Sequence, residues 1–203
     1  MSIIIAGIHT GIGKTICSAV ICQALGYDYW KPVQAGDVAN SDSIFIQRHV
    51  TNSKVVIHPE QYRLTTPASP HYAAAVDGIR IKATDFSLPN TANQLLIETA
   101  GGVMSPLAPD FLNIDLMQQF NLPVILVSNN YLGSINHTLL TVEAVRQRNI
   151  PIKGIVFSGT EVPSTRAFII QHTQLPVLFS IPQFENLNAS AIADFAKTLS
   201  LHL

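Results

Sequence analysis

The stretch Ile3-Ile4-Ile5-Ala6-Gly7-Ile8-His9-Thr10-Gly11-Ile12-Gly13-Lys14-Thr15 decides how the rest of the chain is read. A short β-branched run enters a glycine-rich turn, and a helical stretch, Lys14–Leu25, follows at once. Such a turn at a helix N-terminus offers backbone N–H groups and the positive end of the helix dipole to an anion. A lysine at position 14 reaches outer phosphates, and the Thr15 hydroxyl suits Mg²⁺. The strict phosphate-loop pattern has glycine at position 8, where this chain has Ile8, with Gly7 one residue earlier. A chance Gly-Lys-Thr at an ordinary strand–helix turn is the competing reading. Placement after the first strand and before a helix favours nucleotide binding. A lone loop histidine is more often solvated or hydrogen-bonded, so His9 is given no catalytic role.

Outward from this segment, apolar runs alternate with helical ones. The expected strands are Ile3–Gly7, Tyr29–Pro32, Val55–His58, Gln94–Glu98, Pro123–Ser128, Ile152–Ser158 and Val177–Ser180. The expected helices are Lys14–Leu25, Ser41–Val50, Ser69–Val76, Asn113–Phe120, Ile135–Arg148, Ser164–Gln171 and Ala189–Leu199. Runs such as Val124-Ile125-Leu126-Val127 are apolar at every position, as suits strands covered on both faces. The expectation is one α/β domain over residues 1–203, a doubly wound, mostly parallel sheet. In such sheets ligands lie beyond the carboxyl ends of the strands.

Composition narrows the function. Only 12% of the 203 residues are charged, against about 25% in an average soluble domain. The formal charge of −1 leaves no broad basic footprint for nucleic acid or anionic membrane. No run approaches the ~20 apolar residues of a membrane span. The amino terminus lacks a basic n-region and Ile3–Ala6 is too short for a signal peptide, so the expected location is cytoplasmic. Cys17 and Cys22 are five apart on one helix, about 140° around its axis, and read as reduced, buried thiols.

Three charged residues near strand ends are candidates for the site. Glu98 closes the apolar run Leu95-Leu96-Ile97 and precedes the permissive Thr99-Ala100-Gly101-Gly102, which favours metal chemistry over a solvated strand-end charge. Asp42 is evenly balanced between a metal carboxylate and a first-turn acid complementing the helix dipole. Lys31 is either a snorkelling surface lysine or a charge stabiliser for a phosphoryl group.

The combination resembles the dethiobiotin synthase family. The resemblance runs in order along nearly the whole chain. It rests on Gly7-x-x-Thr10-x-x-Gly13-Lys14-Thr15, Lys31-Pro32-Val33-Gln34, Asn40-Ser41-Asp42, Pro67-x-Ser69-Pro70-His71, Glu98-x-Ala100-Gly101-Gly102 and Leu132-Gly133-Ser134-Ile135-Asn136-His137-Thr138. It implies a P-loop NTPase fold and ATP- and Mg²⁺-dependent closure of 7,8-diaminononanoate with CO₂ to dethiobiotin, through a carbamate and a carbamic–phosphoric anhydride. It implies catalytic roles for Lys14, Lys31 and Thr10, and metal ligation by Thr15, Asp42 and Glu98. The nucleotide would be held by Gly11, Ile12, Gly13, Lys14, Thr15, Ile16, Asp42, Glu98, Thr99, Ala100 and Gly101, with Ser158, Gly159, Pro182, Gln183 and Phe184 around the base. The diamine would meet Thr10, Lys31, Ala35, Gly133, Ser134, Ile135 and Asn136. The helix start at Gly133–Asn136 would take the substrate carboxylate, and family members act as homodimers with the site near the subunit interface.

Four places depart from the commoner family pattern. Gly11 stands where many relatives carry an acidic residue, Ala35 replaces a hydroxyl residue, and Tyr131 occupies an often basic position. Ser158-Gly159 stands where ATP-preferring relatives often have Asn-Asp. A hydroxyl reads a base edge less rigidly than an amide does, so other nucleoside triphosphates are expected to work within about tenfold of ATP, a gap of about 1.4 kcal/mol. The second reading is a ParA/MinD-like P-loop ATPase switch, or a degenerate nucleotide-binding paralogue. The switch group uses a further lysine near the loop start, where Ile8-His9 offers none. It also often carries a membrane-seeking tail, and Asp194–Leu203 has little basic character.

Overall fold

The computed structural model describes residues 1–201, so the last two positions of the tail reading Asp194–Leu203 lie outside the described residues. In chain order the elements are β1 (Ile3–Gly7), α1 (Lys14–Leu25), β2 (Asp28–Trp30), β3 (Val33–Ala35), α2 (Asp42–His49), β4 (Ile57–His58), β5 (Tyr62–Leu64) and α3 (Pro70–Val76). There follow β6 (Leu95–Gly102), β7 (Pro106–Ala108), β8 (Phe111–Leu112), α4 (Asn113–Phe120), β9 (Val124–Asn129), α5 (Ser134–Gln147), β10 (Ile152–Ser158), α6 (Pro163–Thr173), β11 (Val177–Ile181) and α7 (Ala189–Lys197).

The main sheet has seven strands in the order β11-β10-β9-β1-β6-β2-β4, and every ladder within it is parallel. The chain starts at its middle, moves to one edge through β2 and β4, and returns to β6. It then moves out on the other side through β9, β10 and β11. Direction reverses around β1, so the carboxyl ends of β1, β6 and β9 flank the crevice where a doubly wound sheet binds ligand.

Strand β1 shows why the consecutive apolar runs exist. Ile3 and Ile5 pack with Cys17, Val20 and Ile21 of α1 and Ile192 of α7. Ile4 and Ala6 point the other way, onto Val142 and Val145 of α5 and Ile169 of α6. Both faces are thus covered, which a strand with a period-two pattern could not support. Cys17 and Cys22 are free and buried in the first of these layers, and burial pushes both thiols up.

Two features differ from the sequence expectation. Strand β6 does not stop at Glu98 but runs to Gly102: the β1–β6 ladder resumes at Gly7 and Gly102 after a register shift, next to Gly101 in a left-handed conformation at φ 79°. A subsidiary layer also forms, in which β3 pairs with β5 and β7 with β8. With α3 it buries its own cluster of Val33, Leu64, Ala73, Phe86, Leu107 and Phe111. Its strands have two or three residues each, too few for any period to register.

Candidate active site

The glycine-rich segment spans the gap between β1 and α1, which sets Lys14 and Thr15 in the first helical turn. The amides of Lys14, Thr15 and Ile16 have no intrahelical acceptor by helix geometry and are available to an anion. Gly13 caps the helix at φ 95°, a left-handed conformation. A β-carbon there would stand 2.3 Å from Ser158 Oγ, so glycine is required on both counts. Ile12 is buried and Ile16 packs against the same core layer, which leaves only their backbone for a ligand. Gly11 is exposed, with open space beside it. Lys14 Nζ donates to the His9 carbonyl at 2.9 Å.

Three further elements converge on Thr15. Its hydroxyl lies 2.8 Å from Asp42 Oδ1 and 2.8 Å from Glu98 Oε1, donating to one at a time. Asp42 is the first residue of α2, behind the Ser41 cap, and its N–H donates to Gln34 Oε1 at 3.3 Å. Asp42 is therefore a first-turn acid whose side chain also faces Thr15. Glu98 is 1% exposed, and its Oε2 accepts from Ser18 Oγ at 2.7 Å and Tyr29 OH at 3.0 Å. Lys31 Nζ pairs with Asp42 Oδ2 and lies 3.7 Å from Glu98 Oε1. It is buried, so the snorkelling reading fails.

Burial is the largest influence on Lys14, Lys31 and Tyr29. It pushes Lys14 down to about 8, with Glu98 opposing and Lys31 reinforcing. Burial likewise lowers Lys31, against the pull of Glu98 and Glu60. Tyr29 is pushed well up by burial and then by Glu98.

Beyond Lys31 opens a cavity of about 500 Å³ lined by Thr10, Lys31, Ala35, Asp42, Ala100 and Gly101, among others. The Thr99 hydroxyl donates to the Ile5 carbonyl at 3.3 Å and is turned into the sheet. Ser158 pairs with Ile181 at the ends of β10 and β11, and the Gly159 N–H donates to the Ile181 carbonyl. This brings Ser158 and Gly159 beside the segment Pro182-Gln183-Phe184, where Thr160 Oγ1 donates to Gln183 Oε1 at 3.2 Å. Phe184 packs edge-on against Phe195.

The helix start at Gly133–Asn136 is not brought into the Lys31 cavity. Gly133, Ser134 and Ile135 line a separate recess of about 360 Å³ with Tyr131, Val162 and Thr165. Asn136 is exposed. Tyr131 OH bonds His137 Nδ1 at 2.7 Å, and its ring meets that of His9 edge-on.

A protein family described as an AAA domain matches residues 1–191. Proteins named ATP-dependent dethiobiotin synthetase BioD are similar along almost their full length. The one from Christiangramia forsetii is 43% identical, over 97% of this chain and 94% of its own. The one from Cytophaga hutchinsonii is 44% identical over 96% and 95%, and the one from Chlamydia pneumoniae 42% over 96% and 87%. The chain belongs to the dethiobiotin synthetase family. Solved structures of a ParA family ATPase from Chlorobium tepidum (TM-score 0.55, 14% identity, 98% of this chain and 99% of that one) and of the Aquifex aeolicus MinC:MinD complex (0.55, 12%, 100% and 97%) share its fold. At those identities the likeness is one of fold alone, that of P-loop NTPases. The sequence likeness sets this chain with the synthetases and not with the partition switches.

Among the described residues, no helix is long and apolar enough to cross a membrane. Nor does any cluster of three or more His, Cys, Asp or Glu gather there. A metal at this dethiobiotin synthetase-type site would thus rest on two carboxylates and a hydroxyl, all hard oxygen donors. That set fits Mg²⁺, which keeps waters and phosphate oxygens for its remaining positions. Sequence reasoning missed Ser18, Tyr29 and Gln34, which hold Glu98 and Asp42. Ser18 is four residues past Lys14 and so on its face of α1, the one signal that was available. It also missed Asn129, whose amide lies 3.2–3.4 Å from where a Gly159 β-carbon would be.

Proposed function

We propose that this chain closes 7,8-diaminononanoate with CO₂ to dethiobiotin, using ATP and Mg²⁺. The observation that carries the reading is that Thr10 and Lys31 line one cavity while Lys31 also pairs with Asp42 beside Thr15. A substrate group in that cavity thus adjoins the end of the phosphate loop. The family's ATP dependence supports the nucleotide half of the reading.

In this reaction one substrate amine adds to CO₂ and loses a proton, giving a carbamate. A carbamate oxygen attacks the γ-phosphorus and ADP leaves. The second amine then attacks the carbamoyl carbon, loses its proton, and expels phosphate as the cyclic urea closes. No covalent enzyme intermediate is needed, so the protein's work is positioning and charge stabilisation. Lys31, buried and beside the cavity, neutralises carbamate and transferring phosphoryl oxygens. Lys14 takes the outer phosphates, exchanging the His9 carbonyl for them. Thr10 and the amides of Gly11–Ile16 hold the junction between diamine and triphosphate. Thr15, Asp42 and Glu98 would hold Mg²⁺, which neutralises phosphate charge when bound. Ser158, Gly159 and Pro182–Phe184 flank the base.

The diamine carboxylate goes to the α5 N-terminus of a second copy in a homodimer. Supporting this, Gly133–Asn136 lies outside the Lys31 cavity of its own chain, and Leu132, Met104 and Leu140 are exposed nearby. A helix N-terminus suits a carboxylate as it suits phosphate.

The test is phosphate release from MgATP and bicarbonate, with and without 7,8-diaminononanoate, with the product weighed. Diamine-dependent release and a product in which one carbonyl replaces two N–H hydrogens are expected. Release indifferent to the diamine overturns the proposal in favour of an ATPase switch.

A further inference from the structure

Tyr29 is the central residue of β2 and is fully buried, its ring packed in the layer that contains Ile21, Ile46 and Leu96. A phenol in such a place normally needs one acceptor, and any backbone carbonyl would serve. Here the acceptor is Glu98 Oε2, at 3.0 Å. The same oxygen accepts from Ser18 at 2.7 Å, while the other, Oε1, faces Thr15 at 2.8 Å and Lys31 at 3.7 Å.

The terminal torsion of a glutamate is broad and roughly two-fold, so the carboxylate does not orient itself. Ser18 is an unreliable anchor because its single proton also has the Lys14 carbonyl within 3.0 Å. Among the described residues, the Tyr29 hydroxyl has no acceptor other than Glu98.

We propose that Tyr29, seconded by Ser18, is a positioning residue of the metal–nucleotide site: its hydroxyl pins Glu98 Oε2, holds Oε1 toward Thr15, and so sets the affinity for a divalent cation. The inference rests on the reading that Thr15, Asp42 and Glu98 hold that cation. Groups that orient a metal's carboxylates typically govern affinity by 10–100-fold. A phenol that merely satisfies the core would alter stability and leave cation affinity alone.

The experiment measures Mn²⁺ binding to the full chain with ADP by electron paramagnetic resonance, and ADP affinity in excess chelator. Tyr29→Phe keeps the ring and removes only the hydroxyl. The expected result is Mn²⁺ affinity weaker by about tenfold or more, with metal-free ADP affinity within about twofold of the parent. The Mg²⁺ concentration for half-maximal turnover rises in parallel, while the rate at saturating Mg²⁺ stays within about twofold. Unchanged Mn²⁺ affinity overturns the inference, as does an equal loss of ADP affinity in chelator. If Tyr29→Phe does not fold, Ser18→Ala decides by the same readouts, a smaller weakening of Mn²⁺ binding being expected and none overturning it. A Glu98→Gln arm separates the premise: parental Mn²⁺ affinity there sinks the cation reading itself.

Discussion

The Thr15 hydroxyl stands 2.8 Å from Glu98 Oε1, joining the first turn of α1 to a strand 83 residues further along the chain. Asp42 Oδ1 is equally close to the same hydroxyl. This one atom therefore ties together the phosphate loop, the start of α2 and the sheet.

Replacing Glu98 by glutamine removes one of the two carboxylates at Thr15 while keeping the side chain's size and its hydrogen-bonding oxygen. Lys31 retains Asp42 as its partner, so the fold should survive. Diamine-dependent phosphate release should fall by about a hundredfold or more, the scale seen when one electrostatic stabiliser of a transition state is lost. Steady-state rates alongside a thermal melt check this. A folded Glu98→Gln chain with parental turnover would refute the metal role.

Lys14 supplies a pH dependence. Burial brings it down to about 8, so in the free protein it is charged below that pH and neutral above it. Triphosphate binds the charged form. Affinity for ATP in the absence of metal should thus be flat below about pH 7 and fall as pH rises past 8, by up to about tenfold per unit. Titration calorimetry between pH 6 and 9.5 measures it. An affinity that held constant to pH 9.5 would count against Lys14 as the phosphate ligand, and Lys14→Met should remove the slope along with most of the affinity.

What the sequence made legible, and what it did not, follows from distance along the chain. The run Ile3–Gly7 and the helix Lys14–Leu25 were readable because strand, glycine turn and helix are contiguous, and each signal supports the next. Asp42 was ambiguous because a first-turn acid and a site carboxylate have the same sequence signature. The structure shows that the first-turn position also turns this side chain toward Thr15. Tyr29 was invisible as a site residue because it reads as an ordinary aromatic in a strand. Its meaning comes from a partner 69 residues away. The strands β3, β5, β7 and β8 went unseen because two or three residues form no pattern, and only their shared cluster with α3 gives them a reason to exist.

Asp28 opens β2 with a buried carboxylate that receives Thr91 Oγ1 at 2.7 Å, Asn93 Nδ2 at 3.0 Å, the Val56 N–H at 3.0 Å and His58 Nε2 at 3.2 Å. Burial pushes this acid up, but those hydrogen bonds outweigh it, and the net shift is downward. With a depressed folded value, its contribution to stability is complete above the ordinary value of 3.8 and is lost as pH falls through the folded one. Asp28→Asn should destabilise the chain at pH 7 by about 1–3 kcal/mol. It should also flatten the acid limb of stability below about pH 4. Urea unfolding across pH 2.5–7 measures both, and an unchanged acid limb would count against the assignment.

The base corner gives the last prediction. The Ser158 side chain lies against Gly13, and Asn129 sets its amide beside Gly159 from the neighbouring strand. No hydrogen bond to another described residue holds that amide in one orientation. A free amide can turn either its donor or its acceptor end to a base edge, so a base placed here would be bound without its identity being fixed. Turnover with GTP and CTP should then lie within about tenfold of ATP, a difference of about 1.4 kcal/mol. Asn129→Ala should weaken all three nucleotides alike, by about threefold, the cost of one ordinary hydrogen bond. Parallel kcat/KM measurements decide the matter. A preference for ATP of several orders of magnitude would show the base to be read by a fixed group, and an Asn129→Ala loss confined to one nucleotide would identify Asn129 as that group.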